Sequence, residues 1–353
     1  MATRIGINGF GRIGRLVFRT VLDSHADELE VVAINDLTDA ATDAQLLKYD
    51  STYGRFPGEV SAEAGAMVVN GRHVTVLAES DPGKIPWQDL GVEMVIEATG
   101  RFTDAARAER HLSGGARRVI ISAPVKNGGL TVVLGVNEHD YNPTHHRVIS
   151  NASCTTNALA PVAKVLHDRW GIEKGLLTTV HAYTPTQRLL DGVAKNPRIA
   201  RAAALNIIPT TTGATHAAEL VLPELAGRFS GMAFRVPTPT VSVVDFTAVL
   251  GEDVSVAAIN QAFGEAAAGP LRGILAYSDE PLVSTDLKGD PHSAIVSGLD
   301  TLVVGGNLVK VIAWYDNEWG YACRVGDLAA YIARVDQDNW HGRYEHPAAK
   351  AGA

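Results

Sequence analysis

Three glycines near the amino terminus limit what this chain can fold into more than any other feature. Gly9, Gly11 and Gly14 follow a short apolar run at residues 5–8 and precede apolar residues spaced three and four apart at positions 13–21. This order predicts a strand, a tight turn and a helix. Such glycines permit the turn, let a pyrophosphate approach the backbone and let the helix pack on the sheet. The pattern predicts a dinucleotide site, although a simple turn can carry the same glycines.

The carboxylate of Asp36 favours NAD as the dinucleotide. Asp36 ends the second predicted strand, residues 30–35, and lies 22 residues after Gly14. An acid about 20 residues after the glycines accepts hydrogen bonds from the adenosine ribose. It also repels a 2′-phosphate, which disfavours NADP. Alternatively, Asp36 could simply start the turn at residues 36–39.

The first part of the chain repeats the strand and helix pattern. A second helix is predicted at residues 41–49, and strand-like runs follow at residues 94–98, 118–122 and 131–136. Strands that alternate with helices in this way predict a doubly wound parallel sheet, so residues 1–153 are expected to form an α/β domain. A single core rarely grows beyond about 250–300 residues. The 353 residues therefore predict a second domain.

The pattern changes at Cys154. A helical stretch at residues 157–170 precedes strand-like runs at residues 176–181, 234–236, 241–250 and 308–315. The later runs alternate apolar and polar residues, as in a sheet with one buried face. Residues 154–320 are therefore predicted to form an α+β catalytic domain with a mixed or antiparallel sheet. Residues 321–335 are expected to form a helix that packs back on the first domain, and residues 336–353 a loose tail.

Charge and composition exclude several classes of partner. The chain has 39 acidic and 31 basic residues, a net charge of −8, and no basic block, which argues against nucleic acid or an anionic membrane. It has no apolar run of the about 18 residues that a membrane helix needs. The amino terminus lacks the apolar core of a signal peptide, so a cytoplasmic location is expected. Two cysteines are too few for a disulfide framework.

A thiol and an imidazole are the candidate catalytic groups. Cys154 directly precedes a predicted helix, whose amino terminus would lower the pKa of the thiol. His181 closes a strand 27 residues downstream and could act as the general base. Alternatively, the cysteine could be buried and inert, and the histidine could make an ordinary hydrogen bond. With a nicotinamide cofactor, this pair suggests aldehyde oxidation through a thioester. No residues have the spacing of a metal site.

Hydroxyl groups and a guanidinium occur around the proposed centre and could bind an anion. The group comprises Ser153, Thr155, Thr184, the run Thr210-Thr211-Thr212-Gly213, and Arg235. Each also has a plainer explanation, because threonine runs favour strands and Arg235 could be a charge at a strand edge.

Five segments together resemble the phosphorylating glyceraldehyde-3-phosphate dehydrogenase family, over about residues 3–335. The segments are residues 7–15 (INGFGRIGR), 35–39 (NDLTD), 152–157 (ASCTTN), 231–239 (GMAFRVPTP) and 314–318 (WYDNE). The resemblance implies an N-terminal Rossmann NAD-binding domain followed by a catalytic domain, and a homotetramer. It also implies oxidation of D-glyceraldehyde 3-phosphate, with NAD and inorganic phosphate, to 1,3-bisphosphoglycerate in glycolysis or gluconeogenesis.

The resemblance also implies a role for each matching residue. Cys154 would be the nucleophile and His181 its base. The expected contacts to NAD are Gly9, Gly11, Arg12, Ile13, Gly14, Asp36, Ser122 and Asn317, with Asn317 orienting the nicotinamide amide. The expected contacts to the substrate phosphate are Thr184 and Arg235, with Arg198 as a further arginine on the substrate side. The expected contacts to inorganic phosphate are Ser153, Thr155, Thr212 and Gly213.

The chain departs from the family pattern at three positions. Ser80 replaces a frequent arginine near the adenine, Val193 a frequent proline, and Ile199 a frequent second arginine after Arg198. These departures leave Asp36 as the main argument for the use of NAD.

Three other functions compete with this one. Erythrose-4-phosphate dehydrogenases resemble the family closely but release the thioester to water, whereas the Thr210–Gly213 run here looks like an intact phosphate pocket. Aspartate-semialdehyde dehydrogenases share the thiol chemistry but normally prefer NADP, which Asp36 disfavours. A nucleotide-binding regulator without catalysis could have lost Cys154 or His181, and this chain retains both.

Overall fold

The structure, a computed structural model, describes residues 2–194 and 196–344. The chain divides into two units. The first contains residues up to 130, 139–151 and 322 onward, and the second contains residues 131–138 and 152–321. The predicted first domain is therefore not continuous over residues 1–153, because residues 131–138 belong to the second unit.

A nine-stranded sheet forms the centre of the first unit. The strands before Ala152 are β1 (Thr3–Asn8), β2 (Leu29–Asn35), β3 (Tyr49–Asp50), β4 (Gly54–Arg55), β5 (Val60–Glu63), β6 (Ala66–Val69), β7 (Arg72–Leu77), β8 (Met94–Glu97), β9 (Arg118–Ile121), β10 (Leu130–Thr131) and β11 (Val148–Ser150). The order in the sheet is β10-β11-β9-β8-β1-β2-β7-β6-β5, while β3 and β4 pair separately. Strands β11, β9, β8, β1, β2 and β7 are parallel, which confirms the predicted α/β class.

The antiparallel strands β5–β7 at the edge of this sheet were not predicted. Asn70 and Gly71 join β6 to β7 with φ angles of 51° and 78°. An Asn-Gly pair in this left-handed conformation makes the tight turn that suits a hairpin. The Asn-Gly dipeptide was therefore the signal in the sequence that could have identified these strands.

Four helices occur in the first unit before the second unit begins. They are α1 (Arg12–Ser24), α2 (Ala40–Lys48), α3 (Ala105–Ala108) and α4 (Arg110–Ser113). The first two lie where the sequence predicted helices. Asp39 caps α2, since its side chain accepts a hydrogen bond from the Thr42 N–H at 2.8 Å.

The second unit packs three helices on one face of an eight-stranded sheet. The helices are α5 (Cys154–Trp170), α6 (Ala214–Val221) and α7 (Val256–Ala268). The strands are β12 (Ile172–Ala182), β13 (Ile208–Thr211), β14 (Phe229–Val236), β15 (Ser242–Leu250), β16 (Leu275–Ser278), β17 (Ala294–Ser297), β18 (Leu302–Val304) and β19 (Leu308–Tyr315). Their order is β13-β14-β12-β15-β19-β17-β16, with β18 beside β19. The pairs β12–β14 and β16–β17 are parallel and the others antiparallel, so the prediction of a mixed sheet is confirmed.

The last helix, α8 (Trp319–Tyr344), is longer than predicted. Within the first unit, Asp336 in this helix accepts hydrogen bonds from Arg118 at 2.9 Å and from the Tyr141 hydroxyl at 2.7 Å. These contacts continue the helix past residue 335, so the expected loose tail is wrong for residues 336–344. Residues 345–353 lie outside the described part of the chain. Among the described residues, no helix has the length and apolar character to cross a membrane.

The predicted strand at residues 131–136 is mostly a buried loop. Val132 and Val133 have no access to solvent, but of residues 131–136 only Thr131 is in a strand. The side chain of Asn137 takes the place of a neighbouring strand: its Oδ1 accepts from the Val133 N–H at 2.9 Å and its Nδ2 donates to the Thr131 carbonyl at 3.0 Å. Gly135, at φ 80°, reverses the chain between them.

Asn137→Ala should therefore destabilise the protein. The substitution leaves a buried N–H and a buried carbonyl without these bonds, and we expect a loss of about 2–4 kcal/mol in the free energy of unfolding. Thermal and urea unfolding would measure it. The exposed Asn142, whose side-chain oxygen accepts hydrogen bonds from Thr144 in its own turn, provides the control; Asn142→Ala should cost less than about 1 kcal/mol. Equal losses in the two variants would contradict this account.

Candidate active site

The glycine turn after β1 shapes one wall of a cleft in the first unit. Gly9 has φ 92°, and a Cβ there would lie 2.6 Å from the Thr99 nitrogen. A Cβ on Gly14 would lie 2.1 Å from the Gly9 carbonyl oxygen. A Cβ on Gly11, by contrast, would have no atom within 4 Å, and Gly11 lines the cleft. The backbone therefore requires glycine at positions 9 and 14, and the third glycine keeps the cleft open.

The cleft has the chemistry that a dinucleotide needs. Helix α1 begins at Arg12 without a side-chain cap, so the N–H groups of its first turn can bind phosphate. Asp36 accepts hydrogen bonds from the Phe10 N–H at 2.5 Å and the Leu37 N–H at 2.7 Å, one on each carboxylate oxygen. Each oxygen retains a lone pair for a ribose hydroxyl. The cleft measures about 280 Å³. These residues fit NAD.

Two of the other predicted NAD contacts already have partners in the first unit. The Arg12 guanidinium pairs with Asp50 and lies over the Tyr53 ring, 5.7 Å from its centroid. The backbone of Arg12 and Ile13, rather than the arginine charge, is therefore what this helix start offers. Ser122 follows β9, and its hydroxyl donates to the Glu97 carbonyl at 3.1 Å. Ser80, one of the departures from the family, lines the cleft.

The second unit brings the predicted thiol and imidazole together. Cys154 is the first residue of α5, which Ser153 caps by accepting from the Thr156 N–H at 3.0 Å. His181 lies near the end of β12 and is buried. The Cys154 Sγ lies 3.5 Å from the His181 Nε2. This distance permits proton transfer between them.

Arg235 lies beside the imidazole because β12 and β14 are parallel and pair His181 with Arg235. The Arg235 Nη1 is 2.6 Å from the His181 Nδ1 and 3.0 Å from the Ala182 carbonyl oxygen, which in turn is 2.7 Å from Nδ1. Nδ1 can accept from Arg235 or donate to Ala182. Only the second arrangement leaves the Nε2 lone pair to take the thiol proton.

Burial determines the charge state of this pair. Burial, together with the Arg235 charge, lowers the pKa of His181 to about 3. Burial also raises the pKa of the Cys154 thiol, although Arg235 and hydrogen bonds from Thr155 oppose the rise. The sequence-based prediction of a lowered thiol pKa is thus wrong in its net direction, because desolvation outweighs the donors at the helix start. Both shifts favour the neutral thiol and imidazole form of the pair.

Tyr315, part of the segment at residues 314–318, is a further residue of this site. Its hydroxyl lies 2.9 Å from the Thr155 Oγ1 and 2.9 Å from the Thr179 Oγ1, and its ring is 6.0 Å from the His181 ring. Burial, with the nearby Cys154, raises the pKa of Tyr315. Thr155, which the sequence offered as a contact to an anion, is buried and bonds to this tyrosine.

The other predicted anion contacts lie on loops at the ends of the second unit's strands. The Thr184 hydroxyl, after β12, lies 2.9 Å from the Thr186 hydroxyl. Thr212 accepts from the Ala214 N–H at 3.2 Å, and Gly213 is the first residue before α6 and has no side-chain cap. The Arg198 side chain is exposed. Strand order β13-β14-β12 places the Thr212 segment two strands from His181.

Asn317 is connected through Ser242 to strand β12, which carries His181. The Ser242 hydroxyl donates to the Asn317 Oδ1 at 2.8 Å and accepts from the Ala182 N–H at 3.0 Å. The residue before it, Val241, has φ 64°, which is strained for a β-branched side chain. Ala152, two residues before Cys154, has φ 53°. Backbone strain of this kind concentrates at functional sites. In the described residues, no group of three or more histidines, cysteines or acids could hold a metal.

Comparisons with known proteins agree with this geometry. The family model for the glyceraldehyde 3-phosphate dehydrogenase NAD binding domain matches residues 3–105, and that for the C-terminal domain matches residues 153–317. Glyceraldehyde-3-phosphate dehydrogenase of Geobacillus stearothermophilus is 58% identical over 333 residues, which cover 94% of this chain and 99% of that protein. Glyceraldehyde-3-phosphate dehydrogenase 1 of Streptomyces arenae is 58% identical over 332 residues, with the same coverage of both chains.

Gly11 and Gly14 should respond in opposite ways to alanine. Gly14→Ala forces a Cβ against a backbone oxygen and should cost more than about 3 kcal/mol in the free energy of unfolding. Gly11→Ala should cost less than about 1 kcal/mol, because its Cβ enters open space at an ordinary φ of −71°, but should weaken NAD binding at least tenfold. Thermal unfolding and isothermal titration calorimetry would measure the two effects. A Gly11→Ala protein with normal NAD affinity would show that the cofactor lies elsewhere.

Proposed function

Because the chain belongs to the glyceraldehyde-3-phosphate dehydrogenase family, we propose that it oxidises D-glyceraldehyde 3-phosphate to 1,3-bisphosphoglycerate with NAD and inorganic phosphate. The protein is an NAD-dependent oxidoreductase. The observation that carries the finer proposal is the Cys154 thiol 3.5 Å from the His181 imidazole, with Arg235 beside it.

The first unit supplies the groups that would hold NAD. The amino terminus of α1 and the open position at Gly11 suit the pyrophosphate, and Asp36 suits the ribose diol. In the proposal, Ser122 also contacts NAD and the Asn317 amide orients the nicotinamide amide; both assignments come from the family resemblance. NAD, when bound, supplies the two-electron acceptor for the oxidation.

His181 moves the proton at each stage of the proposed reaction. Its Nε2 takes the thiol proton as Sγ bonds to the aldehyde carbon, and returns it to the aldehyde oxygen to give a hemithioacetal. It then accepts the hydroxyl proton as the hemithioacetal is oxidised to a thioester. An oxygen of inorganic phosphate then attacks the thioester carbonyl, the C–S bond breaks, Cys154 leaves as the thiolate, and the proton held on the His181 Nε2 returns to the sulfur. The product is the acyl phosphate.

Two groups of residues would bind the two phosphates. Arg235 and Thr184, with Arg198, would hold the phosphate of the substrate. The Ser153 and Thr212 hydroxyls and the amide of Gly213 would hold the attacking phosphate, because the positive end of the α6 dipole favours an anion there. The Thr155 hydroxyl is already bonded to Tyr315. We therefore assign Thr155 to the hydrogen bond with Tyr315 and not to a direct phosphate contact.

The exposed apolar surface of the second unit supports a homotetramer. Leu176 on β12 is 64% exposed, and Met232 on β14 lies on the same sheet face, opposite the helices. The loop after β12 carries further exposed apolar side chains, at Leu189, Leu190, Val193, Leu205 and Ile207. An apolar surface of this kind normally contacts another protein. We propose that further copies of the chain cover it, which sedimentation velocity would test, and that the enzyme works in cytoplasmic sugar metabolism.

The decisive experiment follows NADH absorbance with D-glyceraldehyde 3-phosphate, with and without inorganic phosphate. We expect turnover beyond the first cycle to depend on phosphate, because only phosphate releases the thioester as an acyl phosphate. Erythrose 4-phosphate should be the poorer substrate, and NADP the poorer cofactor because of Asp36. Oxidation that is independent of phosphate and faster with the tetrose would instead assign the chain to the hydrolytic chemistry.

Cys154→Ala is the control for this assay. Turnover should fall at least about a thousandfold, because no other group can form the thioester. NAD affinity measured by calorimetry should stay within twofold, since the cofactor cleft is built from residues of the first unit. A variant that retained turnover would show that Cys154 is not the nucleophile.

A further inference from the structure

A buried acid and a buried histidine lie beneath the NAD cleft of the first unit, and the proposed reaction uses neither. Glu97 is the last residue of β8 and His111 belongs to α4. Glu97 is 1% exposed and His111 fully buried, and the Glu97 Oε2 lies 3.0 Å from the His111 Nε2. Buried charges are retained only where the surrounding groups compensate for lost water.

The positions of all protons in this cluster follow from one indole group. The Trp87 Nε1 lies 3.0 Å from the His111 Nδ1, and an indole N–H can only donate. Nδ1 must therefore accept, so the histidine carries its proton on Nε2 and donates it to Glu97. The cluster holds a neutral imidazole and an ionised carboxylate.

Four donors surround that carboxylate. Oε2 accepts from His111 and from the Asn8 Nδ2 at 2.6 Å. Oε1 accepts from the Thr99 N–H at 2.8 Å and also from the Thr99 hydroxyl. A protonated acid would turn one oxygen from acceptor into donor and break this arrangement. Glu97 thus accepts hydrogen bonds from these donors, and the same bonds fix the positions of the donors.

From Glu97, hydrogen bonds cross the floor of the cleft from strand to strand. The Asn8 Oδ1, at the end of β1, accepts from the Asn35 Nδ2, at the end of β2, at 2.7 Å. Asn35 also bonds to the backbone of Glu79, after β7, through both its oxygen and its nitrogen. Asn8, Asn35, Glu79 and Thr99 all line the cleft. One chain of bonds therefore joins four strand ends that face the cofactor.

We propose that Glu97 is a positioning residue for NAD, which holds the Asn8 and Thr99 walls of the cleft in the geometry that binds the dinucleotide. The inference rests on the proposed NAD-dependent function. Pairing of β1 with β8 does not require this carboxylate, because the backbones bond to each other directly. The half-buried Thr99, by contrast, depends on this carboxylate for its position. Its backbone lies close to Gly9, and both its N–H and its hydroxyl donate hydrogen bonds to Glu97.

The test is NAD affinity of Glu97→Gln, measured by calorimetry on the full chain. The NH₂ group of a glutamine would face either the Asn8 and His111 donors or the Thr99 donors. Two donors cannot bond to each other, so one wall of the cleft must move. We expect the Kd for NAD to rise at least tenfold and the KM for NAD to follow it. kcat at saturating NAD, and alkylation of Cys154 by iodoacetamide without NAD, should stay within about twofold. Unchanged NAD affinity would overturn the proposal.

Val95→Ala is the matched control. Val95 is fully buried on the same strand, two residues before Glu97, and its truncation should lower thermal stability without touching the bond chain. Its Kd for NAD should remain within about twofold of the wild type. If Val95→Ala weakened NAD binding as much as Glu97→Gln at similar stability, the role of Glu97 would be merely structural and the proposal would fail.

A second substitution should rescue the first. In Asn8→Asp/Glu97→Gln the carboxylate moves to position 8, where it can accept from the new glutamine, from His111 and from Asn35. The double variant should bind NAD at least threefold more tightly than Glu97→Gln. Asn8→Asp alone places two carboxylates together, so it should bind NAD more weakly than Glu97→Gln and more weakly than the double variant. No recovery in the double variant would contradict the assigned proton positions.

Thr99→Val tests the same wall without altering a charge. It removes the hydroxyl bond to Glu97 and the bond that this hydroxyl accepts from the Arg101 N–H, and it keeps the Thr99 N–H bond to Glu97. Folding should therefore be retained if Glu97→Gln proves too unstable to measure. We expect a Kd for NAD at least threefold higher, and no change would overturn the proposal. If the wild-type protein itself failed to bind NAD, the proposed function would fall, an outcome distinct from a failure of the variants alone.

Discussion

The close approach of Gly14 to the Gly9 carbonyl oxygen is the constraint on which the first unit's cleft depends. A Cβ at position 14 would come within 2.1 Å of that oxygen, so the turn and the start of α1 have one arrangement. That arrangement places the start of α1, which has no side-chain cap, directly after Gly11 in the lining of the cleft. Asp36, bonded to the Phe10 N–H inside the same turn, then places a carboxylate beside them. Groups suited to phosphate and to a ribose diol are thus adjacent because the backbone leaves no alternative.

The features that the sequence predicted correctly are those that short segments determine. Glycine spacing and the following apolar periodicity indicated β1, α1 and the parallel sheet before any long-range contact was known. The prediction of a strand at residues 131–136 was wrong because these apolar residues are buried without pairing to a neighbouring strand. The Asn137 side chain bonds to their backbone instead. The Glu97 cluster could not be predicted, since Asn8 lies 89 residues away along the chain and no local spacing connects them.

The catalytic pair shows the same limit at the level of chemistry. Cys154 and His181 could be identified from their segments, and the structure brings them to 3.5 Å. Their proton states could not, because these depend on how fully the second unit encloses them. The helix start that favours a thiolate is present, but burial opposes it and keeps the thiol protonated. Likewise, the Thr155 side chain faces Tyr315 because of a contact 160 residues away.

Each unit contains a buried histidine, and the difference between them follows from their partners. At His111, an indole that can only donate and a carboxylate that can only accept fix one tautomer, so the proton has nowhere to go. At His181, Nδ1 faces both a donor, Arg235, and an acceptor, the Ala182 carbonyl, so two tautomers compete. If an anion drew Arg235 away, only the acceptor would remain beside Nδ1, and the Nε2 lone pair would be free to accept a proton. A fixed proton suits a group that holds a cleft in shape, and a movable one suits a group that must exchange a proton with a thiol.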